Sequence, residues 1–156
     1  MGETLLNIRG LKTYFYTASG VVRAVDGVSF QLEKGKTMGI VGESGSGKSV
    51  TANSIIRLLP PAGKIVDGEI TFDGKEMMSL SQKELQQMRG SDIAMIFQDP
   101  MTSLDPVFRV GDQMVEMIRE HNKSLTHKEA WDMSLKALHE VGIPSPEKRM
   151  KSYPHE

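Results

Sequence analysis

The sequence predicts an α/β fold with antiparallel β hairpins and a separate helical part. Three observations predict it. A glycine-rich loop joins a short apolar run to a helix-like run between Met38 and Leu59. Hairpin-like stretches lie on either side of that loop, at residues 5–32 and 63–80. From about Met101 onward β-type runs vanish and apolar residues recur at helical spacing. A chain of 156 residues suits about one domain and is long enough to bury a core.

Leu5 to Thr17 and Val21 to Leu32 are rich in Val, Phe and Tyr, as strands are. Ala18-Ser19-Gly20 joins them as a short hairpin loop, with Gly20 supplying a positive φ. Asp26-Gly27 interrupts the second strand and reads as a bulge. Tyr14-Phe15-Tyr16 concentrates aromatics in a chain that is only 6% aromatic. Two readings suit this run: sheet packing, or a ring stacked on a nucleotide base.

Gly42 to Ser49 reads Gly-Glu-Ser-Gly-Ser-Gly-Lys-Ser and fits G-x-x-x-x-G-K-[ST] at every fixed position. The chemistry requires that spacing. A phosphate chain carries several negative charges and calls for many donors at once. Gly42, Gly45 and Gly47 let the backbone turn tightly, so that successive N–H groups of Glu43, Ser44, Ser46 and their neighbours point inward. The helix beginning near Lys48 and Val50 adds its positive dipole end. Lys48 is placed to reach the β- and γ-phosphates, and the Ser49 hydroxyl to ligate Mg²⁺. Met38 to Val41 suits the strand before such a loop. Ile55, Ile56, Leu58 and Leu59 suit the helix after it, stopped by Pro60-Pro61.

Residues 63–80 hold a second hairpin, with Ile70 and Phe72 inward and a turn at Asp73-Gly74. Ser81 and Glu84 form a capping box for a short helix that buries Leu85 and Met88 and stops at Gly90. Asp92 to Phe97 reads as an apolar strand. Beyond residue 101, Val110, Met114, Val115 and Ile118 fall on one helical stripe. Thr126 and Glu129 form a second capping box, opening a helix with Trp131, Leu135, Leu138 and Val141 on its core side and Gly142 at its end. The expected division is 1–100 for the hairpins and the loop-bearing core, and 101–156 for the helical part.

Composition narrows the function. Nineteen basic and twenty acidic residues give a net charge of −1, so no bulk attraction draws the chain to nucleic acid. There is no cysteine, which excludes disulfides, thiolate chemistry and Cys-based zinc sites. His121, His127, His139 and His155 show no ligand spacing and read as surface residues. No apolar run approaches the ~18 residues of a spanning helix, and the N-terminus lacks a secretory pattern. A cytoplasmic protein is expected. Phosphate-loop hydrolases also place a second acid after an apolar strand. On spacing alone, Asp99 after Ile93–Phe97 is the candidate.

Gly42 to Thr51, then Ile96-Phe-Gln-Asp-Pro-Met-Thr-Ser-Leu-Asp-Pro106, Val141-Gly-Ile-Pro144 and Ser152-Tyr-Pro-His-Glu156 together resemble the ATP-binding subunits of ABC transporters. They are most similar to those of dipeptide and oligopeptide importers and their nickel and glutathione relatives. The similarity runs from about Leu5 to Glu156. It implies a phosphate-loop NTPase fold in which 1–100 holds the antiparallel subdomain and a RecA-like core and 101–156 begins the helical subdomain. It implies ATP and Mg²⁺ as cofactors, Phe15 or its neighbours Tyr14 and Tyr16 as the adenine-stacking ring, and Gly42–Ser49 as the Walker A loop. By the same resemblance Gln98 is the Q-loop glutamine, touching Mg²⁺ or the attacking water and relaying nucleotide state, in preference to Asp99 as metal acid.

In the family the Ser-Tyr-Pro-His-Glu tail precedes a Leu-Ser-Gly-Gly signature, the Walker B acids and a switch histidine. The resemblance therefore implies that these 156 residues correspond to the N-terminal half of such a subunit, with no catalytic acid of their own. The implied setting is the cytoplasmic face of the cell membrane, with a second ATPase subunit and membrane permease subunits as partners and no nucleic acid. Met101, Phe108 and Met117 are expected to form part of the permease-docking groove. Two other readings stay open: a nucleotide-binding module without turnover, and a different phosphate-loop enzyme, such as a small-molecule kinase, using Asp99.

Overall fold

Alternating Leu6, Ile8, Leu11 and Thr13 point to one side of a long strand, β1 (Thr4–Thr17), and all four are buried. The computed structural model that shows this describes residues 2–98 and 103–156. They divide into two units, Met1–Arg89 and Gly90–Glu156. The division falls ahead of the change in residue type at residue 101.

In the first unit β1 pairs with β2 (Gly20–Glu33) and with β3 (Gly63–Phe72), and β3 with the short β4 (Lys75–Glu76). All pairings are antiparallel, in the order β2-β1-β3-β4. The first hairpin turns at Ala18-Ser19, with Gly20 at φ 128°. The second turns at Asp73-Gly74, both left-handed, which matches the twist of the flanking strands. The expected bulge at Gly27 is present, since Leu11 faces Val28 while Lys12 faces Asp26. A second bulge sits on β1, where Gly10 and Leu11 together face Gly68 of β3. A Cβ on Gly68 would lie 2.6 Å from the Leu11 Cα, so only glycine lets β3 follow β1 at this level. The inner face of the sheet contributes Leu6, Ile8, Leu11, Val25, Ile70 and Phe72 to a core shared with Ile55, Met77 and Leu85.

Helix α1 (Lys48–Ile55) follows the glycine-rich loop. It stops before the expected Pro60-Pro61, because Arg57 adopts a left-handed backbone at φ 51°. Leu58 and Leu59 therefore lie outside the helix. A left-handed non-glycine residue costs on the order of 1 kcal/mol. Helix α2 (Gln82–Met88) carries the complete Ser81–Glu84 capping box, with Leu85 and Met88 buried.

Two expected strands are not formed. Met38–Val41 is irregular, with Val41 93% exposed. In Asp92–Phe97 only Ile93 makes an isolated bridge, and Ile96 is 95% exposed. Apolar runs of this kind are strands when neighbours flank both edges. Among the described residues no strand pairs with either run along its length.

In the second unit α3 (Val110–His121) and α4 (His127–Glu140) pack together, and α5 (Pro146–Arg149) closes one end. The Thr126–Glu129 capping box is complete. The contact surface rests on small residues. Gly111, Ala130 and Ser134 are buried, and a Cβ on Gly111 would lie 2.9 Å from the Trp131 ring. Trp131 is accordingly half-buried rather than central, stacked on His127. Val141, expected on the core stripe, is exposed because α4 ends at Glu140. All four histidines are exposed.

Candidate functional site: the glycine-rich loop

The loop gains its shape from two left-handed glycines, Gly45 at φ 81° and Gly47 at φ 90°. Gly47 is also the N-cap of α1, so no side chain caps the helix, and no acid sits in its first turn. The first N–H groups of the helix are thereby left for a ligand, together with the positive end of the dipole. Gly47 carries a second constraint. A Cβ there would lie 2.4 Å from the Ala24 carbonyl oxygen, so the loop is seated directly on the β2 backbone. Ala24 is the residue of β2 left without a partner between the pairs Thr13–Val25 and Tyr14–Arg23. The sequence holds no sign of this contact, since it depends on which residue of β2 is bulged.

Gly42 has an ordinary φ, and a Cβ there would lie 2.6 Å from the Ser46 hydroxyl. Lys48 folds across the loop. Its ammonium donates to the Gly42 and Glu43 carbonyls, at 2.7 Å each, and to the Ser46 hydroxyl at 3.3 Å. Ser46 N–H donates to the Glu43 carbonyl and closes the turn that holds Ser44. The result is a small cavity of about 140 Å³ lined by Gly45, Ser46, Gly47, Lys48, Ser49 and Val50. Its lining offers backbone N–H groups, two hydroxyls and one ammonium, and no carboxylate. That donor set suits a polyanion such as a phosphate chain.

The three aromatics divide between the two faces of β1. Thr13 points toward α1, its hydroxyl 2.8 Å from that of Ser54. Phe15, two residues on, shares that side. Its ring edge lies over Gly63, where a Cβ would come within 3.0 Å. Its cross-strand partner Val22 lies two positions from Ala24, the residue that abuts Gly47. Tyr14 points the other way. Its hydroxyl donates to Asp26 at 2.7 Å, which raises its pKa, and Arg23 covers its ring. Tyr16 shares the outward face with Tyr14 and meets Lys64.

Ser49 is exposed at the rim of the loop. Gln98 is also exposed, at a bend that ends the 93–98 run of the second unit. Asp99 and Met101 lie outside the described residues. Among the described residues no three His, Asp or Glu side chains are grouped to hold a metal by themselves. A single hydroxyl such as Ser49 fits an ion that takes most of its ligands from nucleotide phosphates and water.

Comparison with known proteins agrees with this geometry. The family described as "ABC transporter" matches residues 25–156. The chain is 50% identical to the oligopeptide transport ATP-binding protein OppD of Bacillus subtilis, over 97% of this chain and 42% of that protein. It is 51% identical to the dipeptide transport ATP-binding protein DppD of the same organism, over 99% and 46%. It thus spans less than half the length of these curated relatives. Among solved structures, the ATP-binding cassette MJ0796, a dimer bound to ADP and Pi, superposes with a TM-score of 0.80. That match has 19% identity and covers 97% of this chain and 62% of the other; it speaks to the fold.

Proposed function

The chain belongs to the ABC transporter family, and from that premise we propose that it is the nucleotide-binding part of an ATPase energising an importer of dipeptides or oligopeptides. The observation that carries the nucleotide reading is the loop itself. Left-handed Gly45 and Gly47 turn the chain into the uncapped end of α1, and Lys48 spans the mouth. The peptide reading rests on the relatives, which are named for oligopeptide and dipeptide transport at about half identity.

In this proposal the first N–H groups of α1 and the Lys48 ammonium hold the β- and γ-phosphates. Phe15 stacks on the base from the α1 side of the sheet. Ser49 gives a hydroxyl to Mg²⁺, and Gln98 serves the same ion or the attacking water. Mg²⁺, when bound, neutralises charge developing between the β- and γ-phosphates. The cavity lined by residues 45–50 contains no carboxylate to orient water, so hydrolysis draws on groups other than these six. Partners are a second ATP-binding subunit and membrane permease subunits, at the cytoplasmic face of the membrane. No helix among the described residues is long and apolar enough to cross a membrane. A kinase reading would draw on Asp99, and nothing in the loop favours it over the transport reading.

The test is uptake of a labelled tripeptide by cells that depend on this protein for import. Replacing Lys48 with Ala should abolish uptake. Undiminished uptake would overturn the proposal, and loss of nickel uptake with intact peptide uptake would redirect its substrate.

A further inference from the structure

Helix α1 has little to hold it in place by apolar burial. It is eight residues long, and its buried side chains are Thr51, Ser54 and Ile55, two of them polar. Helices this short do not persist on propensity alone. Its N-terminal end is seated by Gly47 against β2. Its other end is held by two arginines.

Arg89, just past α2, directs its guanidinium at the carbonyls that follow α1. Its Nε and Nη2 donate to the Ile56 carbonyl at 3.0 and 2.8 Å, and Nη2 also to the Arg57 carbonyl at 2.7 Å. Arg57 in turn donates from Nη1 to the Met77 and Leu80 carbonyls, at 3.1 and 2.8 Å. Both guanidiniums are part-buried in these bonds, and neither forms an ion pair with a carboxylate among the described residues. Arg57 occupies the left-handed position that closes the helix, where glycine is the unstrained choice. Strain retained at such a position accompanies a constraint imposed from elsewhere. Here the side chain is what glycine would lack. A cation at the carboxyl end of a helix also favours its dipole.

We propose that Arg57 and Arg89 are positioning residues for phosphate binding: together they clamp the C-terminal end of α1 and so fix the direction of its first-turn N–H groups and of Lys48. The proposal rests on the nucleotide reading of the loop. Neither arginine lines the cavity at residues 45–50, so both act through α1.

Two variants test it. Arg89→Lys keeps the charge and loses the two-pronged donor geometry. Arg57→Gly removes the side chain but also the backbone strain, so its fold is supported independently. In Mg-ATP titrations of the purified chain at a temperature far below unfolding, each should bind about tenfold more weakly than wild type, the scale of losing charge-assisted hydrogen bonds. Amide exchange at Thr51, whose N–H donates to the Gly47 carbonyl at 2.8 Å, should quicken in both, although the substitutions lie at the far end of the helix. Wild-type affinity and unchanged exchange at Thr51 in a folded Arg57→Gly chain would overturn the proposal and leave the nucleotide reading intact. If Lys48→Ala binds as tightly as wild type, the nucleotide reading fails, and this proposal with it.

Discussion

Replacing Gly47 with Ala should destabilise the fold far more than replacing Gly45 with Ala. Both glycines are left-handed, so either substitution places an L side chain in a disfavoured backbone region, at about 1 kcal/mol. The surroundings differ. Around Gly45 a Cβ meets nothing within 4 Å, whereas at Gly47 it lies 2.4 Å from the Ala24 carbonyl oxygen and 3.6 Å from Val25 Cγ2. The oxygen belongs to a paired strand and cannot rotate away like a side-chain tip. Relief requires α1 or β2 to move, and forced overlap of this kind adds about 1–3 kcal/mol. Gly47→Ala is therefore expected to cost about 3 kcal/mol against about 1 for Gly45→Ala. Urea unfolding followed by far-UV circular dichroism measures the difference. The single tryptophan, Trp131, lies in the Gly90–Glu156 unit, and its fluorescence gives an internal control. Equal destabilisation by the two substitutions would refute the claim that the loop is seated on β2 through Gly47.

Other outcomes follow from the same structure. Phe15→Ala should weaken Mg-ATP binding by about 1 kcal/mol, or roughly fivefold, while Phe15→Trp binds; an effect confined to Tyr14 or Tyr16 would place the base on the outer face of β1. The Glu129 carboxyl is held below its ordinary 4.5, first by the Thr126 hydroxyl and then by the Thr126 N–H. A depressed folded-state value stabilises α4 fully above pH 4.5, and that stability is lost as pH falls through the lowered value. Trp131-monitored unfolding should show this loss, and Glu129→Gln, which preserves the box geometry, should flatten it. Phe108 and Met117 are 56% and 59% exposed, and we propose that they meet a permease subunit. Cysteines placed there, in a chain that has none of its own, should crosslink to it, whereas one at Lys136 should not.

What could be read ahead of the structure was set by local chemistry. The tight glycine turn at Gly45 and Gly47, the Asp73-Gly74 turn and both capping boxes depend on residues within a few positions of one another, and all are formed. The apolar content of the runs 38–41 and 92–97 predicts strands that do not form. Strand formation depends on a neighbour distant in sequence, which their composition does not reveal. The end of α1 is set by a contact equally remote in sequence. Pro60-Pro61 is a visible stop, but the helix yields earlier at Arg57, whose left-handed backbone is accompanied by bonds to Met77 and Leu80. Which of Tyr14, Phe15 and Tyr16 lies on the α1 side of the sheet depends on the Thr13–Ser54 contact and the bulge at Ala24, neither of which the sequence announces.

We propose that the loop from Gly42 to Ser49 grips a nucleotide phosphate chain through α1 and Lys48. Calorimetric titration of the chain with Mg-ATP, as wild type and as Lys48→Ala, tests it most directly. Wild type should bind in a one-to-one ratio, and Lys48→Ala should lose about 1.5–3 kcal/mol, roughly ten- to 150-fold in affinity, as expected for hydrogen bonds to a charged group. Equal affinities for the two chains would rule out a phosphate grip through Lys48.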